Sequence, residues 1–132
     1  MRAWTGFLRT ALALGLLAAA AGCATVDGAQ ASPKRRVEYG IASYYGPEFE
    51  GRPTASGERY DPRKLTAAHR TLPFGSHARV TNLTNHRSVT VRINDRGPHR
   101  EGRIIDLSRR AARELGFVGA GITQVRVQPL RR

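Results

Sequence analysis

Cysteine and long apolar runs are what this sequence has least of. Cys23 is the only cysteine among 132 residues, so the chain cannot form an internal disulfide. The longest apolar run, residues 11–21, is almost wholly Ala and Leu. It is shorter than the ~20 residues that a membrane-spanning helix needs. We therefore expect no transmembrane helix.

Acidic residues are also scarce. The chain has 22 Lys and Arg against 10 Asp and Glu, a formal net charge of +12. Such an excess predicts an anionic partner, whether cell-wall polymer, lipid headgroups or nucleic acid. The sequence lacks a recognition-helix or zinc-finger pattern, and it has no close-spaced pair of metal ligands. We therefore expect no nucleic-acid partner, no metal and no other cofactor.

The N-terminal segment has the pattern of an export signal. Arg2 and Arg9 precede the apolar run, and this order is typical of a secretory signal peptide, predicted here over residues 1–22. A-A-G-C, which ends at Cys23, resembles a bacterial lipobox. A lipid on Cys23 would hold the protein at a membrane surface facing the periplasm. The outer membrane is favoured over the inner one because Ala24, directly after the cysteine, is not acidic. Ordinary cleavage nearby, leaving a free thiol, is the alternative.

The remaining chain allows one domain. Residues 24–36 carry Ala, Ser, Asp, Gln, Pro and Lys with little that could be buried, which predicts a flexible tether. Residues 37–132 are then the folded domain, expected to be a monomer.

Short strands dominate the predicted domain. Alternating apolar residues predict strands at residues 37–45, 65–69, 77–83, 88–93, 104–107 and 122–127. In the first, Val37, Tyr39, Ile41, Ser43 and Tyr45 share one face. Ser108 as N-cap and Gly116 as C-cap predict a helix over residues 109–115. Five or six strands and one helix suit a small closed β-barrel, because closure removes exposed sheet edges.

One candidate reactive group stands out from position alone. Asp95 lies where the strand ends and the turn-forming residues 94–98 begin. A strand end fixes a side chain while the adjoining loop admits a ligand. The alternative is an aspartate that bonds its own turn. Asp106, just before the predicted helix, is expected to satisfy backbone groups at the helix start.

Four blocks of sequence resemble a known family. They are Y-Y-G-x-x-F-x-G-R-x-T-A-S-G-E at residues 44–58, L-T-A-A-H-R-T-L-P-F-G at 65–75, V-R-I-N-D-R-G-P at 91–98 and G-R-I-I-D-L-S at 102–108. In order and content they resemble the rare lipoprotein A family, over residues 39–130. The resemblance implies a double-psi β-barrel, as in expansin-like and barwin-like proteins. It also implies a lytic transglycosylase that cleaves peptidoglycan glycan strands and prefers strands without stem peptides. This sequence resembles a short form without the C-terminal sporulation-related repeat domain of larger members.

The family's acidic and histidine positions fall on Glu58, His69 and Asp95. A lytic transglycosylase lets the muramyl 6-hydroxyl attack its own anomeric carbon, giving a 1,6-anhydro product. One carboxyl then serves as acid and afterwards as base. Asp95 is the first candidate for that carboxyl and Glu58 the second, and His69 is expected to hydrogen-bond a carboxylate or a substrate hydroxyl. Candidates for substrate binding in the same blocks are Tyr44, Thr54, Ser56 and Arg96.

Other functions stay open on the sequence. A hydrolytic glycosidase needs two carboxyl groups, and this chain has them. Glu58, His69 and Asp95 could in principle ligate a metal, although their spacing does not favour it. A wall-binding module without turnover, like expansin-type barrels, would also explain the charge. The presence of an acid, a second carboxylate and a histidine together favours the enzyme.

Overall fold

The computed structural model describes residues 36–131, which form six strands and one helix. The strands are β1 (Glu38–Tyr44), β2 (Thr66–His69), β3 (His77–Asn82), β4 (Ser88–Asp95), β5 (Arg103–Leu107) and β6 (Thr123–Pro129). Helix α1 (Arg109–Leu115) lies between β5 and β6 in the chain, and a short 3-10 turn covers Pro47–Phe49. Every predicted strand is present at its expected place.

The six strands close into a barrel in the order β1-β5-β2-β4-β3-β6. The β1–β5 and β2–β4 pairs are parallel, and the other neighbours are antiparallel. Within the described residues, closure gives each of the six strands a neighbour on both sides over at least part of its length, which reduces the sheet edge that another chain could pair with. The predicted double-psi β-barrel with one short helix is confirmed.

Two β-bulges interrupt the parallel pairs. Asn94 is an extra residue of β4 opposite β2, and Ile104 is an extra residue of β5 opposite β1. A bulge bends its strand and re-aims the side chains that follow it. Asp95 directly follows the first bulge, and Asp106 comes two residues after the second. Each of the two bulged strands thus places an aspartate one or two residues after its bulge.

The barrel interior is filled by apolar side chains that are fully buried, among them Val80, Val91, Ile93, Ile105 and Leu107. Helix α1 closes one end of this core with Ala111, Ala112 and Leu115.

The ends of α1 are capped as the sequence predicts. The Ser108 hydroxyl accepts a hydrogen bond from the Ala111 amide at 3.2 Å, and Gly116 has φ = 75°, the left-handed conformation that glycine adopts without strain. The caps fix where the chain leaves β5 and returns to β6.

The residues predicted to share one face of the first strand differ in their exposure to solvent. Tyr39 is 66% exposed, whereas Ala42 and Ser43 are both buried. The pairing changes along β1, because residues 38–40 pair only with β6 whereas Ser43 and Tyr44 pair only with β5. Exposure along this strand therefore depends on which neighbour flanks it as well as on the alternation of its side chains.

Three sequence-based expectations lie outside the described residues. These are the signal peptide over residues 1–22, the lipid on Cys23 and all but the last residue of the tether. Within residues 36–131, no helix is long and apolar enough to span a membrane.

Candidate active site

A groove of about 600 Å³ opens beside the ends of β1 and β4. It is lined by residues 44–46 and 95–100, and by Glu48, Phe49, Arg103 and Asp106. Its volume lies within the range of roughly 300–1,000 Å³ that is usual for small-ligand sites. The groove thus combines two aspartates, several arginines and aromatic rings.

Asp95 is held in this groove by three hydrogen bonds. The Tyr45 hydroxyl donates to Oδ2 at 2.6 Å. The backbone amides of Ala55 and Arg96 donate to Oδ1 at 2.9 and 2.8 Å. Among the described residues, no ion pair involves the Asp95 carboxylate. The carboxyl group is therefore fixed by neutral donors and keeps one oxygen turned to a hydroxyl.

Tyr45 is the side-chain partner of Asp95, a contact that the sequence-based prediction did not include. Its ring packs against Tyr60 and Phe49, with centroids 4.6 and 5.6 Å away. Burial, and then the hydrogen bond to Asp95, raise the pKa of Tyr45 far above its usual range. Tyr45 consequently stays protonated at any physiological pH and remains a hydrogen-bonding partner for Asp95.

Tyr44, which the sequence assigned to substrate binding, is the tyrosine that turns towards the core. Its hydroxyl donates to the Val118 carbonyl at 2.7 Å, and its ring meets Phe117 edge-on at 5.7 Å. Strand alternation already required one of the two adjacent tyrosines to face inward. The structure shows which one, and leaves Tyr44 only partly in the groove wall.

Thr54 and Ser56 shape the loop beside Asp95 and do not line the groove. The Thr54 hydroxyl donates to the Glu58 carbonyl at 2.6 Å, and the Ser56 amide donates to the Asn94 carbonyl at 3.2 Å. These bonds dock the loop on the end of β4. The docking brings the Ala55 amide to Asp95, so the sequence-predicted substrate binders act on the carboxylate through the backbone.

Glu58 does not line the groove and is tied to Arg92. The guanidinium of Arg92 donates to both carboxylate oxygens at 2.7 and 2.6 Å, and the Lys64 ammonium is 3.9 Å away. The hydrogen bonds from Arg92 hold the pKa of Glu58 below its ordinary value. Because a general acid must carry a proton near neutral pH, this pairing makes Glu58 the weaker of the two acid/base candidates.

His69 is buried and bonds within the protein. Its Nδ1 accepts from the Thr71 and Leu72 amides, both at 3.1 Å. The proton therefore belongs on Nε2, which lies 3.2 Å from a Glu38 carboxylate oxygen. The sequence predicted a carboxylate partner for His69, but that partner is Glu38 and not Asp95 or Glu58. His69 does not line the groove.

Arg96 joins two loops. Its guanidinium donates to the carbonyls of Leu72 at 2.8 Å and His69 at 3.2 Å, and it stacks 3.9 Å from the centre of the Phe74 ring. Arg96 is part of the groove wall, as expected for a substrate-binding residue, yet its donors serve the turn after β2. His69 and Arg96 thus both stabilise the turn after β2 by hydrogen bonds to its backbone.

Asp106 is placed differently from the sequence-based expectation. It was expected to satisfy backbone groups at the helix start, but its Oδ1 accepts from the Arg103 guanidinium at 2.6 Å and from the Ser43 hydroxyl. Ser43 pairs directly with Asp106 across the parallel β1–β5 ladder. Ile105 and Leu107, on either side of Asp106, are both fully buried. Because side chains alternate along a strand, this pattern indicates that Asp106 faces away from the core. Asp106 is thus a second groove carboxylate, neutralised by Arg103.

The three residues proposed from the family do not converge on one point. Asp95 alone lines the groove, while Glu58 is bound to Arg92 and His69 to Glu38. Nowhere in residues 36–131 do three His, Cys, Asp or Glu side chains form a group that could hold a metal ion. The metal hypothesis therefore has no supporting geometry in the part of the chain that the structure describes.

The fold and the groove define a class: a small double-psi β-barrel with a carboxylate-bearing cleft at the strand ends. Residues 37–127 match the lytic transglycolase family, and the chain belongs to that family. The sequence is 61% identical over 95 residues to a probable endolytic peptidoglycan transglycosylase RlpA of Nostoc sp., covering 70% of this chain and 26% of that protein. It is 55% identical over 97 residues to the endolytic peptidoglycan transglycosylase RlpA of Haemophilus influenzae, covering 74% and 34%. The chain thus spans about a quarter to a third of the length of these relatives.

Two solved structures share the fold. The Streptomyces papain inhibitor superposes with a TM-score of 0.59 at 23% identity, over 73% of this chain and 96% of that one. An expansin of Clavibacter michiganensis in complex with cellohexaose gives a TM-score of 0.58 at 21% identity, over 73% and 51%. At these identities the likeness concerns the barrel alone.

Proposed function

We propose that this protein is an endolytic lytic transglycosylase that cleaves the glycan strands of peptidoglycan. The observation that carries the proposal is Asp95, a groove carboxyl positioned by two backbone amides and one tyrosine, in a member of the lytic transglycolase family. The names of the relatives from Nostoc sp. and Haemophilus influenzae support the same activity.

Asp95 has the position that a single acid/base needs, in the groove wall and fixed by its neighbours. Both backbone amides donate to Oδ1, which leaves Oδ2 as the oxygen that carries the proton. In the proposed reaction, Oδ2 protonates the oxygen that leaves C1 of N-acetylmuramic acid. It then removes the proton from the muramyl 6-hydroxyl as that oxygen bonds to C1, which closes the 1,6-anhydro ring. The proton balance is zero, so no water is consumed.

Tyr45 assists both halves of this cycle. A hydroxyl can donate to an ionised carboxylate and can rotate to accept from a protonated one. Its position 2.6 Å from Oδ2 therefore stabilises Asp95 in each state. Phe49, 38% exposed beside Tyr45, offers a ring face on which a sugar can stack.

The wider setting of the proposal comes from the sequence. A lipid on Cys23 would hold the enzyme on a membrane facing the periplasm, preferably the outer membrane. The net charge of +12 suits an anionic wall polymer. We also propose that the enzyme is monomeric and prefers strands without stem peptides.

A non-catalytic wall-binding role is the second candidate. It is favoured by the likeness of the barrel to the Clavibacter expansin, whose structure holds cellohexaose. A binding module would use the same groove without needing an acid in it.

Turnover of denuded glycan strands by the full chain separates the two roles. The wild-type chain is expected to release soluble fragments, and the Asp95→Asn variant is expected to release none. Asp61→Asn is the matched control, because this half-buried aspartate pairs with Arg63 outside the groove. Binding without release by the wild-type chain would favour the binding module.

A further inference from the structure

Three arginines line the groove together with Asp95, and two of them are already occupied. Arg96 donates to two carbonyls and stacks on Phe74. Arg103 forms the ion pair with Asp106. Both guanidinium groups are thus already held inside the protein, Arg96 through Nη1 and Arg103 through Nη2.

Arg100 is the third arginine, and its side chain differs from the other two. It is exposed at the lip of the groove and, within residues 36–131, its guanidinium makes no hydrogen bond, ion pair or ring contact. Glu48, an exposed carboxylate of the same lining, is not paired with it. A free guanidinium presents a planar fork of donors that matches a carboxylate.

The backbone around Arg100 is held in place by the side chain of Arg70. The Arg70 guanidinium donates to the Pro98 carbonyl at 2.5 Å, the Arg100 carbonyl at 2.7 Å and the Arg103 carbonyl at 2.9 Å. Pro98 itself is buried. Because the loop is ordered before a ligand arrives, binding at Arg100 has only a side chain left to immobilise.

We infer that Arg100 binds a carboxylate of the substrate and thereby sets the preference among glycan strands. The inference rests on the proposed function, because muramic acid carries a lactyl carboxyl group. That group is an anion on a bare strand, and it becomes an uncharged amide where a stem peptide is attached. Arg100 therefore distinguishes bare from peptide-bearing strands by whether the lactyl group itself is charged.

Isothermal titration calorimetry with strands that are not cleaved during the measurement tests the inference. The full chain carrying Asp95→Asn is titrated with denuded glycan strands, and with the same strands after amidation of their carboxyl groups. The measurement is repeated with Arg100→Gln added, and separately with Arg79→Gln added. Arg79 is an exposed arginine of β3 outside the groove, so it removes the same charge at a different place.

We expect the parent to bind free-carboxylate strands about tenfold more tightly than amidated strands, the size of one charge-assisted hydrogen-bonded contact. Arg100→Gln should abolish this ratio by weakening only the binding of the free-carboxylate strands, and Arg79→Gln should keep it. An unchanged ratio in Arg100→Gln, or an equal loss in both variants, would overturn the inference. The proposed function is judged separately by wild-type turnover. If Arg100→Gln abolishes the affinity ratio but the wild-type chain cleaves no strands, Arg100 still binds the carboxylate and only the enzymatic function is refuted.

Discussion

Tyr45 Oη lies 2.6 Å from Asp95 Oδ2, while the other oxygen of the same carboxyl is saturated by two backbone amides. Tyr45 directly follows β1 and Asp95 is the last residue of β4, and these two strands are not neighbours in the barrel. The bulge at Asn94 aims Asp95 into the groove, and the end of β1 brings Tyr45 to meet it. This pair is the centre of the proposed acid/base chemistry.

Tyr45→Phe removes the hydroxyl and keeps the ring. A hydrogen bond to a charged group contributes roughly 1.5–3 kcal/mol. We therefore expect kcat on denuded strands to fall by about tenfold or more, because Oδ2 of Asp95 loses the hydroxyl that positions it, and the thermal midpoint to fall by roughly 5–10 °C. Steady-state kinetics and thermal unfolding measure the two effects. Tyr44→Phe, which loses the bond to Val118, is the matched control and should lower the midpoint while kcat stays unchanged. An unchanged kcat in Tyr45→Phe would contradict the account.

His69→Ala is predicted to act mainly on stability. It leaves the Glu38 carboxylate and two backbone amides without their buried partner. Losses of this kind cost about 2–4 kcal/mol in total, which lowers the midpoint of a domain this size by roughly 10 °C or more. Circular dichroism melts measure it, with exposed His77→Ala as the control. Equal midpoints for the two variants would show that the bonds of His69 contribute nothing.

The Glu58–Arg92 pair predicts a pH-dependent difference in stability. Arg92 holds the folded-state pKa of Glu58 below its ordinary 4.5. The pair therefore contributes fully above that ordinary value, and the contribution disappears as pH falls through the lower folded value. Glu58→Gln should lower the free energy of unfolding by about 0.5–1 kcal/mol at neutral pH and by less at pH ~3. Urea titrations at both pH values measure this, and a difference independent of pH would contradict it.

Arg70→Lys tests how the loop over residues 97–103 is kept in place. An ammonium is a point charge and cannot span the three carbonyls that the guanidinium fork reaches. Amide hydrogen exchange in that loop should accelerate several-fold, while the core strands keep their protection. Arg79→Lys is the matched control, and unchanged exchange in the loop would show that Arg70 is not what orders it.

Much of the fold was predictable because its signals are local. Strand ends, the Ser108 and Gly116 caps and the position of Asp95 at the end of β4 all follow from neighbouring residues. The half-paired first part of β1 was not predictable in this way, since exposure of Tyr39 depends on where β5 begins.

The site was less predictable because its contacts join distant parts of the chain. Glu58 and Arg92 are 34 positions apart, His69 and Glu38 are 31 apart, and Ser43 and Asp106 are 63 apart. A single sequence shows the carboxylates and not their partners. Asp95 and Tyr45 were within reach of sequence reasoning, whereas the pairing of Glu58, His69 and Asp106 depended on barrel register.

Mass spectrometry of the products from denuded strands tests the central claim most directly. The wild-type chain should produce fragments that end in 1,6-anhydro-muramic acid, and Asp95→Asn should produce none. Fragments with reducing ends would mean that water is the nucleophile, and anhydro products from Asp95→Asn would mean that another group is the acid/base. Either result would contradict a lytic transglycosylase that works through Asp95.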